Sequence, residues 1–171
     1  NPERFPKISG SLQEMRLVIA RHGKAEPDSP TGRDADRRLT ERGELQARWL
    51  GETLLSCGFQ DAVVLTSQAE RARRTAEIMC EVLGVRPVHA PRLMLGRAAS
   101  EAIQVIEQHR DHGKLVLVGH NPTMSELATI LAYGIGCSGL GLKTGSAAMI
   151  ELKGGTEPGI ASLEDVIRLD D

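Results

Sequence analysis

Aromatic side chains are nearly missing: the 171 residues include one Trp, one Tyr and two Phe. A core must therefore rest on Leu, Ile, Val, Ala and Met. A charge excess is missing too. Lys and Arg total 21 against 23 Asp and Glu, a formal net charge of −2. That balance gives no whole-molecule attraction to nucleic acid or to an anionic membrane. Local positive potential remains open, because Arg clearly outnumbers Lys in the first half. There is no Cys-x-x-Cys pair among Cys57, Cys80 and Cys137, which argues against a thioredoxin-like site or a structural zinc site. An odd, widely spaced set fits a reducing compartment, with thiols partly buried and inert. No run approaches the roughly 20 apolar residues of a membrane span. The start of the chain lacks the basic-then-apolar signal pattern, so a cytoplasmic location is expected. No G-x-G-x-x-G follows a strand and no G-x-x-x-x-G-K-[ST] occurs, which weakens nucleotide-binding readings. Internal repeats and low-complexity tracts are also missing.

What is present is enough for one well-filled domain. Residues 1–14 are polar, with Pro2, Pro6 and Gly10, and read as a loosely held extension or remnant outside the domain. Residues 15–171 read as a single domain. The apolar run Leu17–Ala20 predicts a buried strand over Met15–Ala20. From Gly23 to Arg38 the chain is rich in Pro, Gly, Asp and Arg without an apolar period. This is a long loop, either functional or an ordinary surface excursion. Thr40 suits a helix cap, and Leu45, Trp49, Leu50 and Leu54 recur at helical spacing. Gly51 weakens that helix and Gly58 stops it. Ala62–Thr66 is a second strand. Glu70–Leu83 is a helix with an inward stripe of Ala72, Thr75, Ala76, Met79 and Leu83, stopped at Gly84.

Val85–Ala90 is a short extended segment interrupted by Pro87, and Pro91–Ala99 is loop. A helix over Glu101–His109 closes at Gly113. Leu115–Gly119 is a strong strand. Pro122 then opens a helix over Thr123–Tyr133, which buries Met124, Leu127, Ala128 and Leu131. A Gly-rich loop over 134–145 leads to two late strands, Ala147–Leu152 and Ser162–Leu169, able to pair as a hairpin. Alternating strands and helices predict an α/β fold: a three-layer α/β/α sandwich with a mostly parallel sheet and at least one antiparallel strand.

The chemistry concentrates at strand ends. Arg21, His22 and Gly23 end the first strand, where open α/β sheets bind ligands. The imidazole suits a nucleophile, base or ligand, and the Arg suits an anionic oxygen. The alternative is a surface His beside an Arg. Thr66-Ser67-Gln68-Ala69-Glu70-Arg71 follows the second strand and opens a helix, placing Arg71 near an anion-favouring N-terminus. Arg73 and Arg74 read as a solvated face paired with Glu70 and Glu77. Gly119-His120-Asn121-Pro122 ends the strand over 115–119, so a second His occupies an equivalent place, and Asn121 suits a cap. His89, His109 and His112 lack this placement. Completing a metal site would need Asp28, Asp34 or Asp36 to fold over, and nothing in the pattern points to that. Two His and two or more Arg suit a phosphoryl group.

Three motifs in order carry a resemblance: Arg21-His22-Gly23, Thr66-Ser67-x-x-x-Arg71-Ala72-x-x-Thr75 and Gly119-His120, joined by Leu39-Thr40-Glu41-Arg42-Gly43 at a helix start. The chain resembles the histidine phosphatase (phosphoglycerate mutase-like) superfamily over about Met15–Tyr133, and more weakly beyond. Its short length and GHNP segment resemble the small bacterial phosphohistidine phosphatase branch. The resemblance implies a metal-independent phosphatase that needs no cofactor. His22 would be the nucleophile, phosphorylated and then hydrolysed. Arg21, Arg71 and His120 would bind the phosphoryl oxygens. Gly23 would let the backbone approach, and Ser67 and Asn121 would add hydrogen bonds.

Larger relatives carry an acidic general acid after the third strand. Residues 91–97 hold no carboxylate, and Glu101 reads as part of the next helix. Ser67-Gln68 also replaces the Ser-Pro common in relatives. A missing acid and a missing cap favour a phosphohistidine, whose protonated ring leaves with little help. The expected partner is thus a phosphorylated histidine-containing phosphotransfer protein. The alternatives are a small phosphorylated metabolite or an inactive phosphate-binding module. Neither nucleic acid nor membrane is expected as a partner, and a phosphomutase is the weakest reading.

Overall fold

A computed structural model of the chain describes residues 14–171. The expected extension therefore lies, apart from Glu14, outside the described residues. Among the described residues, six strands form one sheet: β1 Met15–Arg21, β2 Val63–Thr66, β3 Pro87–His89, β4 Lys114–Gly119, β5 Ser146–Leu152 and β6 Ser162–Arg168. Their order is β3-β2-β4-β1-β5-β6. The first four are mutually parallel, while β5 runs antiparallel to both β1 and β6. Helices α1 Glu41–Ser56, α2 Glu70–Leu83, α3 Ala99–Gln108 and α4 Thr123–Tyr133 complete an α/β/α sandwich.

The two-residue period of β1 divides the core. Leu17 and Ile19 face the layer with Ala102, Val105 and Ile106 of α3 and Leu127 and Leu131 of α4. Val18 and Ala20 face Leu50 and Leu54 of α1 and Ala72, Ala76 and Met79 of α2. Both faces of the central strands are thus covered, as apolar runs without polar alternation require.

The α1 register differs from expectation. Its buried line is Gly43, Gln46, Ala47, Leu50, Gly51 and Leu54, while Leu45 is exposed. Small residues win because α1 packs closely on α2. A Cβ on Gly51 would lie 3.0 Å from Val82 Cβ and 3.1 Å from Met79 Cα. The glycine read as a weak point is therefore the contact point. Thr40 caps α1 by accepting the Gly43 N–H at 3.0 Å. Helix α3 begins at Ala99, earlier than expected, because the Glu101 carboxylate accepts the Ala98 N–H. It ends at Gln108, with His109 as its cap, before Gly113. Cys137 is exposed, against the expectation of partly buried thiols, because it sits in the Gly-rich connection over 134–145. Among the described residues, no helix is long and apolar enough to cross a membrane.

The topology carries β1, β2 and β4 side by side, with their C-terminal ends at one edge. Chain direction alone thus brings 21–23, 66–71 and 119–121 together.

Candidate active site

Arg21, His22, Arg71 and His120 converge on one cleft of about 890 Å3 at that edge. His22 follows β1, and both of its backbone groups are fixed. Its N–H donates to Gly119 O at 3.1 Å, and its carbonyl accepts from Gly145 N at 2.8 Å. Its Nδ1 lies 2.7 Å from Gly23 O. A carbonyl only accepts, so Nδ1 carries the proton and Nε2 keeps its lone pair. The Arg71 Nε–H points at that lone pair from 3.3 Å. Burial, with the nearby His120, Arg71 and Arg21 charges adding to it, pushes the His22 pKa down to about 3. The ring is therefore neutral near pH 7.

His120 sits beside it, with ring centroids 5.2 Å apart. Its Nε2 is 2.8 Å from Ser67 Oγ. A hydroxyl donates or accepts, so this bond fixes the ring's orientation, not its tautomer. Ser67 Oγ in turn accepts the Ala69 N–H, and Met94 Sδ lies 3.1 Å from it. Burial first, then the Arg71 charge, pushes the His120 pKa down to about 4. Among the described residues, His120 Nδ1 and Arg21 Nε are buried without a hydrogen-bond partner.

Arg21 reaches across to donate to Leu142 O at 3.1 Å. Burial, then repulsion from Arg71, lowers its pKa. Arg71 is buried in the first turn of α2, as its place next to the β2 end requires. Arg73 and Arg74 behave as the solvated face, paired with Glu70 and Glu77 and with Glu44, Glu77 and Glu81 respectively.

Gly23 stands where two backbones meet. A Cβ there would lie 2.6 Å from Gly43 O, so the turn after His22 packs directly on the start of α1. Its N–H is already donated to Thr75 Oγ1 at 3.0 Å. Asn121 is likewise committed. Its amide donates to Leu142 O at 2.8 Å, and its Oδ1 accepts from Ser125 at the start of α4. Neither side chain faces the cleft: Gly23 has none, and Asn121 braces the 140–145 loop. Ser67 acts on the cleft only through His120.

Several cleft residues lie outside the motifs, among them Lys24, Arg37, Arg168, Asp171 and Asp34, the last weighed from the sequence only as a metal ligand. Asp34 sits in a 3-10 turn of the 23–38 loop, and its carboxylate lies 3.0 Å from Arg71 Nη2. Its carbonyl also accepts from Arg71 Nη1 at 2.9 Å. The loop ends are tied by an Ala25–Leu39 bridge and by Glu26 N–H to Arg38 O, which folds Asp34 back over the site. Hydrogen bonding to Arg37 first, and to Arg71, lowers the Asp34 pKa, so it is a carboxylate at neutral pH. Glu101 is spent capping α3 and pairing with Arg97 at 3.0 Å. Among the described residues, no group of three or more His, Cys, Asp or Glu is placed to hold a metal ion.

A parallel-sheet edge that gathers a neutral His, a second His and two guanidiniums defines a phosphoryl-binding class of α/β protein. The family model for the histidine phosphatase superfamily (branch 1) matches residues 17–94. An uncharacterized protein of Picosynechococcus sp. is 38% identical over 146 residues, covering 82% of this chain and 86% of that protein. The chain belongs to the histidine phosphatase superfamily. Its fold is also that of the protein histidine phosphatase SixA complexed with tungstate, with TM-score 0.78, 22% identity, and coverage of 90% of this chain and 97% of that one. A putative phosphohistidine phosphatase SixA from Nakamurella multipartitia gives TM-score 0.75 and 24% identity, covering 91% and 96%.

Proposed function

We propose that the protein is a metal-independent phosphatase that works through a phosphohistidine at His22, and that its substrate is a phosphohistidine on a protein. His22 Nε2 attacks phosphorus in line. The new N–P bond forms as the bond to the leaving group breaks, and water then cleaves the phosphoenzyme to restore His22 and release phosphate. Arg21, Arg71 and His120 hold the phosphoryl oxygens and stabilise charge in flight. Two observations support these roles: the unprotonated His22 Nε2, which only Arg71 approaches among the described residues, and the unpartnered Arg21 Nε and His120 Nδ1 on residues of the same cleft.

The substrate class rests on one observation: among the described residues, no protonated acid faces the site. Asp34 is held ionised by Arg37 and Arg71, and Asp171, the other carboxylate of the cleft, by Arg168. An alkoxide leaves poorly without a proton donor, whereas a phosphohistidine protonated on its far nitrogen leaves as neutral imidazole. The likeness to solved structures described as histidine phosphatases agrees with this reading.

The test is a comparison of kcat/KM across a phosphorylated histidine-containing phosphotransfer domain, aryl phosphates and alkyl or sugar phosphates. The phosphotransfer domain is expected to lead. A sugar or alkyl phosphate that exceeds it would move the protein to small-molecule chemistry. Phosphate binding without hydrolysis of any of them would make it a recognition module.

A further inference from the structure

The cleft is more basic than one phosphoryl group needs. Six of its lining side chains are Lys or Arg and two are Asp. Arg21 and Arg71 lie at the reacting histidine. Arg42 and Arg168 come from elsewhere: the first turn of α1 and the end of β6. Both are tied to segments that pack on His22 or its chain neighbours. Arg42 precedes Gly43, which touches Lys24. Arg168 Nε donates to Thr144 O at 2.9 Å, one residue before the Gly145 N–H that binds His22 O.

The two guanidiniums meet on a single oxygen. Asp171 Oδ1 lies 3.3 Å from Arg42 Nη2 and 3.0 Å from Arg168 Nη1. The arginine side chains are 30% and 23% exposed and the aspartate 75%. Arg42 Nη2 also donates to Leu169 O at 2.9 Å and Asp170 O at 2.7 Å, and Arg168 Nε to Thr144 O, so backbone carbonyls hold both cations while the carboxylate is the loose half of the contact. Exposed ion pairs of this kind are weak and exchangeable. A carboxylate of the molecule itself already marks the anion-binding position.

We propose that Arg42 and Arg168 form a second anion site beside the phosphoryl site, and that preferred substrates carry a second negative group, a carboxylate or phosphate, which displaces Asp171 there. This rests on the phosphatase reading above for the word substrate, but not for binding. In the protein case the group is an acidic side chain next to the phosphohistidine. In a small molecule it is a second acid on the same chain.

The test uses two matched sets. One is a phosphohistidine peptide flanked by Glu, against the same peptide flanked by Gln. The other is a series of ω-carboxyalkyl phosphates of increasing length, against alkyl phosphates of equal length. Wild type should favour the charged member by about tenfold in kcat/KM, mainly through KM, as one charge-assisted contact provides. Asp171→Ala should widen that ratio and Arg42→Ala should bring it near one. Arg92→Ala, which removes an exposed cation bonded to Gln104 outside the cleft, should leave it unchanged. A preference confined to the peptides assigns the group to a protein, and one confined to the alkyl series assigns it to a metabolite.

Equal turnover of charged and uncharged members, or a preference that survives Arg42→Ala, overturns the proposal. Calorimetric Kd values for the alkyl series on wild type and Arg42→Ala separate the two readings. A charge-dependent Kd without turnover sinks the phosphatase and keeps the second site. Turnover with a charge-independent Kd and kcat/KM does the reverse.

Discussion

His22 and His120 end neighbouring parallel strands in the same register, Arg21 opposite Gly119, yet their nitrogens are committed in opposite ways. His22 gives its Nδ1–H to Gly23 O and keeps Nε2 as a lone pair. His120 is held at Nε2 by Ser67, and its Nδ1 has no partner among the described residues. The first arrangement suits the nucleophile of the proposed mechanism. The second makes a ring whose position is fixed and whose other nitrogen faces no competing protein group. Equivalent places in a topology therefore do not mean equivalent roles; the neighbour that takes one nitrogen decides what the other can do.

The sharpest way to break this comparison is to delete each ring in turn. His22→Ala should abolish phosphoenzyme formation and lower kcat on the order of 10⁴-fold or more, since covalent chemistry has no substitute there. Rapid-quench labelling reads this directly. His120→Ala should still label His22 but lower kcat by about 10²–10³, the usual scale for losing one charge-stabilising donor. Similar losses with no labelling in either variant would mean the two rings act as one unit.

Acid stability sharpens the same contrast. Both folded-state pKa values lie below the ordinary value of 6.5, at about 3 for His22 and about 4 for His120. The unfolded chain therefore binds more protons below pH 6.5, so stability is full above that value and falls as pH drops toward 4. Melting temperatures from pH 7 to pH 4 should show the decline. His22→Gln should flatten it more than His120→Gln, because the shift at His22 is larger. A flat wild-type profile would mean that the rings charge freely in the folded state.

The smallest expected effect is that of Ser67→Ala. Losing the bond that orients His120 should lower kcat by about three- to tenfold, with phosphoenzyme still on His22. An unchanged kcat would show that packing alone holds the ring.

Much of this was legible in the sequence, for local reasons. The apolar runs at Leu17–Ala20 and Leu115–Val118, the stripe through Ala72, Thr75, Ala76 and Met79, and the stop at Gly84 are short-range signals. Strand polarity then carries Arg21, His22, Arg71 and His120 to one edge with no further information. What was not legible depends on long-range contact. The inward face of α1 follows its approach to α2 at Gly51, which outweighs the apolar pull of Leu45. Asp34 reaches Arg71 because the 23–38 loop is tied at Ala25 and Leu39, and no periodicity in that loop announces its return. Gly23, expected to let the backbone come close to His22, has its missing Cβ taken up against Gly43.

The most direct test of the account is to trap the phosphoenzyme and find which nitrogen bears phosphorus. Tandem mass spectrometry locates the residue, and NMR of the denatured phosphoprotein at alkaline pH distinguishes Nε2 from Nδ1. Phosphorus on Nε2 of His22 is the predicted result, since Nδ1 is bound to Gly23 O. Phosphorus on Nδ1 of His22, or on His120, would contradict it.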